Sequence, residues 1–350
     1  MARHLIDPGK LLMVGIPGPT LDRSTHRRLV EIGPSGVILF RRNVQGPAQV
    51  SRLCGAIHRL RPGMLIAIDH EGGRVNRLPE PFTAFPPARA LGEADSPRLA
   101  FAVGQAIGRE LASVGIDLDF APVLDVLTHP RNRVIGDRSF ASDPALVARL
   151  GLAFARGLRA AGVIACGKHF PGHGATRGDS HVVLPRVSLS SGEILRIHVA
   201  PFRDAIAAGI PCLMMAHVVY RCLDSAHAAS LSPRILGTLL RRRLRYRGLI
   251  VSDDLEMAAL SRRMPPEEAA VSAVAAGTDL LLVCNSLEVA GRARVGLEKA
   301  LGSGRLPVAR VGEALSRIRR LRTPRSADSR IRRWPVAAHV ALAKAIASAL

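Results

Sequence analysis

Long apolar runs are missing from this 350-residue sequence. No segment reaches the roughly 18 continuous apolar residues that a membrane-spanning helix needs. Near the amino terminus, the apolar run 11–16 is short and is followed by Pro17, so it lacks the long apolar core and the cleavage site of a signal peptide. We therefore expect a soluble cytoplasmic protein that does not bind membranes.

Paired cysteines are also missing, because the five cysteines are an odd number and contain no CxxC motif. Three of them, Cys166, Cys212 and Cys284, lie in or beside apolar runs. The sequence therefore predicts free buried thiols, which suit a reducing compartment.

Lysine and aromatic residues are scarce, whereas arginine is abundant. Lysine occurs only at positions 10, 168, 299 and 344, and the formal net charge is +21. Such a charge raises the hypothesis of nucleic-acid binding. However, the arginines are spread along the chain, and aromatic residues at 3% leave little for base stacking. We expect no nucleic-acid partner; an arginine-rich nucleic-acid-binding protein on an inactive barrel is the alternative from another functional class.

The stretch 168–181 holds more chemical groups than a plain connection requires. It carries two cations, three imidazoles, one carboxylate and three glycines, and glycine lets the backbone turn sharply around a small ligand. The apolar run 162–166 predicts a buried strand that ends just before it. These groups are therefore expected at the carboxyl end of a strand and on the loop beyond, where α/β folds bind ligands.

Eight short apolar runs each predict a buried parallel strand, and helical patterns lie between most of them. Several of these patterns begin with proline or with a Ser or Asp cap, as helix N-termini prefer. The alternation predicts an α/β fold, a single (β/α)8 TIM-type barrel that allows one irregular strand or helix. The predicted strands are 11–14, 36–40, 64–68, 116–120, 163–166, 212–216, 249–252 and 280–283, and the predicted helices are 47–59, 96–114, 144–161, 191–208, 233–244, 266–276, 286–301 and 308–322.

The domain organisation is predicted to be simple. Residues 1–323 form the barrel domain, and residues 324–350 form a C-terminal extension of a polar loop followed by a helix over 334–350 that packs on the barrel. A monomer is compatible with this organisation.

Polar and charged residues follow most of the predicted strands directly. Because the loops at the carboxyl ends of barrel strands surround one mouth, we expect these residues to converge there. They are Arg41, Arg42, the segment 69–74, Lys168, His169, His217, Asp253, Asp254 and Asn285.

The carboxylates Asp253 and Asp254 directly follow a predicted strand, so one of them is expected to point into the mouth. A carboxylate near cations such as Lys168 and Arg138 would stay ionised, as a nucleophile must. The alternative is that the pair caps the next helix.

The segment 179–181 places a carboxylate two residues before an imidazole. Asp179 could hydrogen-bond one ring nitrogen of His181 and fix its tautomer, while the other nitrogen handles a substrate proton. A purely structural hydrogen bond is the alternative.

A metal site is a further hypothesis for His169, His173 and His181. Their neighbours do not follow HExxH or a comparable ligand pattern, so we expect neither a metal ion nor another cofactor. His173, which lies between two glycines, is expected to shape the loop.

Five motifs of this chain resemble, in the same order, those of the β-N-acetylhexosaminidases of glycoside hydrolase family 3, the peptidoglycan-recycling type. The resemblance covers about residues 10–320, and the motifs together are highly specific. They are 69–77 (DHEGGRVNR), 116–126 (IDLDFAPVLDV), 135–140 (IGDRSF), 168–181 (KHFPGHGATRGDSH) and 251–255 (VSDDL).

The resemblance implies a retaining exo-hydrolase that removes terminal β-linked N-acetylglucosamine from muropeptides or chitin-like oligomers. It implies Asp253 as the nucleophile and His181 as the general acid/base, with Asp179 orienting His181. The sugar-binding positions that it implies are Asp69, Arg77, Arg138, Lys168 and His169.

Two features depart from the family pattern. His70 stands where many relatives have glutamine, although either side chain can donate a hydrogen bond. The residues after Thr323 have no counterpart that the resemblance supplies, and the chain is too short for the second α/β layer of two-domain members.

Two alternatives remain among enzymes. One is a β-glucosidase or another exo-glycosidase of the same family, against which the segment 179–181 favours the N-acetylhexosaminidase branch. The other is a glycoside phosphorylase, because a neutral imidazole does not repel phosphate as a carboxylate would.

Overall fold

The computed structural model of the chain describes residues 6–177, 184–321 and 331–348. Over these residues the backbone forms ten strands, eight of which close into a barrel. The strands are β1 (Leu12–Gly15), β2 (Gly36–Leu39), β3 (Leu65–Ile68), β4 (Leu118–Asp119), β5 (Ile164–Phe170), β6 (Arg186–Val187), β7 (Cys212–Met215), β8 (Val219–Tyr220), β9 (Leu249–Asp254) and β10 (Leu280–Val283).

The barrel runs in the order β1, β2, β3, β4, β5, β7, β9 and β10, and then returns to β1, whereas β6 and β8 pair in a separate two-stranded sheet. All neighbouring barrel strands are parallel, and Met13 of β1 pairs with Gly36 on one side and with Leu282 on the other. The predicted (β/α)8 barrel and its eight strands are confirmed. Strands β1, β2, β3, β7 and β10 are buried at every residue, which explains why apolar runs identified them.

The predicted ends of two strands were wrong. Strand β5 does not end at Cys166 but continues through Lys168 and His169, and β9 includes Asp253 and Asp254. Backbone pairing with distant segments carries both strands onward: the Leu124 amide donates to the Lys168 carbonyl over 2.7 Å, and Asp254 pairs with Leu282. The polar residues therefore sit on strand backbone, which positions them more firmly than a loop would.

Twelve α-helical segments surround the barrel within the described residues. Helices α4, α5 and α10 begin after side-chain caps from Ser96, Asp143 and Ser286. The helices are α1 (Arg23–Ile32), α2 (Pro47–Leu60), α3 (Ala88–Glu93), α4 (Pro97–Ser113), α5 (Pro144–Ala160), α6 (Ser191–Glu193), α7 (Ala200–Ala207), α8 (Ala258–Ser261), α9 (Pro266–Ala276), α10 (Leu287–Gly302), α11 (Val308–Arg320) and α12 (Ala337–Ser348).

Most predicted helices are confirmed to within two residues, but two predictions were incomplete. The predicted helix 191–208 is divided into α6, a π-helical segment over Ile194–His198 and α7, and the predicted helix 233–244 is π-helical over Arg234–Arg243. Helix α1 was not predicted. None of the helices in the described part of the chain combines the length and apolar character needed to span a bilayer.

The apolar core fills the barrel and the layer between its strands and the helices. All five cysteines are free, and Cys166, Cys212 and Cys284 are buried as predicted, whereas Cys222 is exposed. Beyond the barrel, α12 lies within the predicted helix 334–350, and the boundary between residues 323 and 324 falls outside the described residues and stays a prediction.

Candidate active site

A cavity of about 850 Å³ opens at the carboxyl ends of the barrel strands. It brings together residues from β2, β5, β7, β9 and β10 and from the segments that follow β3 and β4. Of the eight predicted site residues, six lie in the described part of the chain and all six line this cavity; Asp179 and His181 lie outside the described residues. The six are Asp69, Arg77, Arg138, Lys168, His169 and Asp253.

A buried lysine occupies the centre of the charged cluster in this cavity. The Lys168 side chain is only 2% exposed and forms ion pairs with Asp69 and with Glu71, whose Oε1 is 2.5 Å from Nζ. Position 168 on β5 places the ammonium group opposite the residues that follow β3. Lys168 therefore joins two adjacent elements of the rim by charge.

Two arginines complete the cluster from the other side. Arg138 binds Glu71 with two hydrogen bonds, of 2.8 Å from Nε and 2.7 Å from Nη2, the strong bidentate geometry of a guanidinium and a carboxylate. Arg77 lies 3.3 Å from Asp69. With Lys168, these five residues carry three positive and two negative charges.

The cluster stays ionised at neutral pH. Burial by itself would raise the pKa values of Asp69 and Glu71, but Lys168 and the arginines outweigh it and hold both below their usual range. The same carboxylates raise the pKa values of Lys168 and Arg138 against the effect of burial. The cavity wall thus presents fixed charged groups that can donate and accept hydrogen bonds.

His169 is held by a fully buried carboxylate. Asp125 accepts hydrogen bonds from His169 Nδ1 at 2.7 Å, from the His169 amide at 3.1 Å and from the His173 amide at 2.6 Å. Burial would raise the pKa of Asp125, but the His169 ring dominates and lowers it to about 2. Because Asp125 accepts only, Nδ1 carries the proton, and Nε2 is the nitrogen left for the cavity.

Asp253 lies at the end of β9 and lines the cavity. Its Oδ1 accepts the Asp254 amide at 2.9 Å. Helix α8 begins after Met257, which gives it no side-chain cap, so the alternative in which Asp253 and Asp254 cap the next helix was wrong. Asp253 therefore places a carboxylate at the mouth of the barrel.

Asp254 has a different environment from its neighbour. Its Oδ1 accepts the amides of Glu256 and Cys284, both at 3.1 Å, and its Oδ2 lies 3.2 Å from Asn285 Nδ2. Burial raises the pKa of Asp254 to about 7. This carboxyl group connects β9 to the residues after β10 by hydrogen bonds. It retains its proton below neutral pH.

Comparison with known protein families agrees with this arrangement of the cavity. The family model described as the glycosyl hydrolase family 3 N-terminal domain matches residues 8–321. The chain belongs to this family.

Several relatives of this family 3 chain are known. A β-hexosaminidase of Thiobacillus denitrificans is 43% identical over 286 residues, covering 80% of this chain and 79% of the relative. The solved structure of NagZ from Neisseria gonorrhoeae in complex with N-trifluoroacetyl-D-glucosamine has a TM-score of 0.83 and 35% identity, covering 96% of this chain and 97% of that one.

A longer structural neighbour is the family 3 β-N-acetylglucosaminidase from Paenibacillus sp. strain FPU-7. It is 37% identical with a TM-score of 0.92, and the alignment covers 97% of this chain and 67% of that one.

Two buried acids of this family 3 site were given no role from the sequence, although Glu71 lies within the predicted rim segment 69–74. Glu71 stands within the motif 69–77, but its partner Arg138 is 67 residues away. Asp125 interrupts an otherwise apolar run, 120–126. A carboxylate in such a run must be paired when it is buried, so the run itself carried the signal that could have identified Asp125.

Three predicted rim residues serve the scaffold instead. Arg41 donates to the Val44 carbonyl at 2.8 Å. Arg42 donates to the carbonyls of Ile16 at 3.0 Å and Cys284 at 2.5 Å. His217 is fully buried, 2.7 Å from Ser230 Oγ and 3.1 Å from the Asp254 carbonyl. Within residues 6–177, 184–321 and 331–348, no group of three His, Cys, Asp or Glu side chains is arranged to hold a metal ion.

Proposed function

We propose that this chain is a retaining exo-β-N-acetylglucosaminidase with Asp253 as its nucleophile. The observation that carries the proposal is the position of Asp253, a carboxylate on a barrel strand that faces a cavity with a fixed set of sugar-binding charges. The family match supports glycoside hydrolysis. The configuration at the anomeric carbon is retained if the carboxylate attacks the sugar directly instead of activating water.

The reaction proceeds in two steps. In the first, an Asp253 oxygen bonds to the anomeric carbon as the glycosidic bond breaks, and protonated His181 gives its proton to the leaving oxygen. In the second, His181 takes a proton from water, the water oxygen bonds to the anomeric carbon, and the bond to Asp253 breaks. Asp179 orients the His181 ring and fixes its tautomer.

The charged cluster binds the hydroxyl groups of the terminal sugar. Carboxylates accept hydrogen bonds from hydroxyls, and ammonium, guanidinium and imidazole groups donate to hydroxyl oxygens, so a mixed cluster holds a sugar from several directions. The residues in this role are Asp69, Arg77, Arg138, Lys168 and His169.

The relatives support an N-acetylated sugar over glucose. The Thiobacillus protein is a β-hexosaminidase, the Paenibacillus structure is a β-N-acetylglucosaminidase, and the Neisseria NagZ structure is a complex with N-trifluoroacetyl-D-glucosamine. These three proteins share one sugar class, so we assign the same class to this chain.

Three arginines at the cavity favour an anionic leaving group. Arg131, Arg133 and Arg177 are exposed and line the cavity, and their guanidinium groups make no ion pair with another described residue. Free positive charge beside the sugar site attracts a carboxylate on the leaving group. We therefore favour muropeptides over neutral chitooligosaccharides as substrates. We further propose that cleavage takes place in the cytoplasm, the compartment that the sequence predicts.

The activity is tested by release of p-nitrophenol from its β-N-acetylglucosaminide, with the β-glucoside as control, by the wild type, Asp253→Ala and His181→Ala. We expect selectivity for the N-acetyl sugar, near loss of activity in Asp253→Ala and a reduced rate in His181→Ala. Added phosphate should not yield sugar 1-phosphate. Equal activity on the glucoside, or formation of sugar 1-phosphate, would overturn the assignment.

The leaving-group preference is tested by comparing a disaccharide of N-acetylglucosamine and N-acetylmuramic acid with chitobiose. We expect a lower KM for the anionic disaccharide, a difference that shrinks in Arg133→Ala and at high salt. Equal KM values for both disaccharides in the wild type would remove the case for muropeptides.

A further inference from the structure

The C-terminal segment 331–348 lies beyond the residues that the family model matches, yet it packs behind part of the sugar site. Its helix α12 buries His339, Ala343 and Ile346 on one face, a spacing of four and three residues that lines up side chains along a helix. This face contacts α3 and α4. The segment is thus packed against the barrel domain through one buried face, which we call its inner surface.

The inner surface of this segment is connected to the residues that follow β3. We call these residues, 69–87, the substrate loop. His339 Nδ1 lies 2.8 Å from Oε1 of Glu110 on α4, and both groups are buried. Glu110 also accepts from Thr83 of the substrate loop, at 3.0 Å from the amide and 2.6 Å from the hydroxyl. One buried carboxylate therefore connects the C-terminal segment to the substrate loop.

A second contact lies beside the first. The Trp334 ring meets the Phe82 ring edge to face, with centroids 4.6 Å apart, and Phe82 is 3% exposed. Aromatic pairs of this geometry add to the apolar burial of both rings. Two neighbouring positions of the substrate loop, 82 and 83, are thus fixed from behind by one segment.

Further contacts connect residues 82–87 to the part of the substrate loop that faces the cavity. The Gly73 amide donates to the Phe85 carbonyl at 2.9 Å, and a side chain at Gly73 would meet the Pro87 ring at 2.7 Å. The Gly73 backbone, at φ +55, lies in the left-handed region that suits glycine. The two halves of the substrate loop are therefore packed against each other, so fixing residues 82–87 also fixes residues 69–77.

The far half of the loop holds the sugar-binding groups. The Arg77 amide donates to His70 Nδ1 at 3.2 Å, and Asp69 and Glu71 flank His70. Burial lowers the pKa of His70 to about 4, and the negative charge of Glu110 opposes this shift. Glu110 therefore also interacts electrostatically with His70, in the far half of the loop.

We propose that segment 331–348 is a positioning element of the sugar site: His339 and Trp334, through Glu110 and Phe82, hold the substrate loop in the geometry that binds the terminal sugar. This inference rests on the proposed function for its kinetic consequence but not for its structural one. The side chains of the segment are positioning residues, since no contact places them against the cavity. Their loss should weaken sugar binding more than it slows the chemical step.

The test compares His339→Ala, His339→Asn and Lys344→Ala with the wild type. The Asn amide nitrogen can replace the Nδ1 donor, and Lys344 is an exposed residue of the same helix, so it is a matched control. We expect KM for the p-nitrophenyl N-acetylglucosaminide to rise about fivefold in His339→Ala with little change in kcat, and to return toward the wild-type value in His339→Asn.

The KM readout separates positioning from loss of folded protein, because an unfolded fraction lowers the apparent kcat and leaves KM unchanged. Hydrogen exchange without sugar gives a second readout: the amides of residues 70–87 should exchange faster in His339→Ala than in Lys344→Ala. Unchanged KM and unchanged exchange in His339→Ala would overturn the proposal. If the wild type itself has no glycosidase activity, the proposed function fails, and the exchange comparison still decides whether the segment positions the loop.

Discussion

Both ends of the barrel hold buried acidic side chains beside cationic ones. The two ends differ in how many of the hydrogen-bonding positions of these side chains are occupied by protein groups. At the amino end, Asp279 precedes β10 and is fully buried. It accepts hydrogen bonds from Arg241 at 2.5 Å, Arg310 at 2.6 Å, Arg317 at 2.9 Å and the Ile250 amide at 3.0 Å. Four donors from the protein surround this one carboxylate.

At the carboxyl end, acidic and basic side chains of the same types are partly exposed, so a ligand can also form hydrogen bonds with them. The side chain of Asp69 is 22% exposed and that of Arg77 is 30% exposed, although both are ion-paired. They line the cavity together with Asp253. The carboxyl end is therefore charged, held in place and accessible.

Ion pairing alone therefore does not distinguish a structural cluster from a functional one. A carboxylate with every acceptor position occupied by protein donors stabilises the fold, whereas one that shares its partners with a cavity can bind a substrate. The two ends of this barrel should accordingly respond differently to matched substitutions.

The largest effect is expected at the carboxyl end from Lys168→Met, which keeps the unbranched apolar stem of the side chain and removes the terminal ammonium group. Asp69 and Glu71 would lose their shared cation, so we expect kcat/KM to fall by roughly a hundredfold through weaker sugar binding. Breaking a buried ion pair should also lower the free energy of unfolding by about 3 kcal/mol. Steady-state kinetics and urea unfolding measure the two effects.

The control for this substitution is Lys299→Met on α10, where the lysine is exposed. It should leave both kcat/KM and the unfolding free energy near their wild-type values. A Lys168→Met variant with wild-type kcat/KM would show that the charged cluster does not bind the sugar.

At the amino end, Asp279→Asn should change stability alone. The substitution removes the negative charge shared by three arginines, and we expect the free energy of unfolding to fall by about 3 kcal/mol. KM should stay at the wild-type value, because the cluster lies at the opposite end of the barrel from the cavity. Thermal unfolding and KM are measured on the same preparation, and an altered KM would contradict the division between the two ends.

The smallest effect concerns Asp254, the carboxyl group beside Asp253. Burial raises its pKa to about 7, against about 3.9 for aspartate in an unfolded chain. The folded state therefore binds the extra proton between these values, so the stability that Asp254 contributes is complete below about pH 4 and is lost as the pH rises toward about 7.

The corresponding measurement is urea unfolding of the wild type and Asp254→Asn at acid and neutral pH. Since asparagine does not titrate, the wild type should lose about 1 kcal/mol relative to the variant when the pH rises from about 6 to about 7.5. A constant difference between the two proteins across this range would show that Asp254 titrates normally.

The fold was largely predictable from the sequence because parallel barrel strands are buried on both faces and so appear as apolar runs. The ends of β5 and β9 were not predictable in this way. Lys168 and Asp254 are polar, but they remain on strand backbone because they pair with Leu124 and Leu282, partners that local composition does not reveal.

The site was predictable at the level of motifs but not of pairings. Asp69, Lys168 and Asp253 were identified from the residues that follow predicted strands and from the family resemblance. Glu71 was expected at the rim but was given no role, and Asp125 was not identified, because their roles depend on Arg138 and His169, which are 67 and 44 residues away from them. Long-range contacts of this kind arise only once the barrel has closed.

The proposed mechanism requires that Asp253 form a covalent bond to the anomeric carbon of the sugar. It is tested most directly by incubating the enzyme with a 5-fluoro derivative of an activated N-acetylglucosaminide, which slows breakdown of a glycosyl-enzyme, and then mapping the labelled peptide by mass spectrometry. We predict one sugar attached to Asp253 and no label in Asp253→Ala. A sugar attached to another residue, such as Asp254, or turnover without any covalent adduct and with inversion at the anomeric carbon, would contradict the claim.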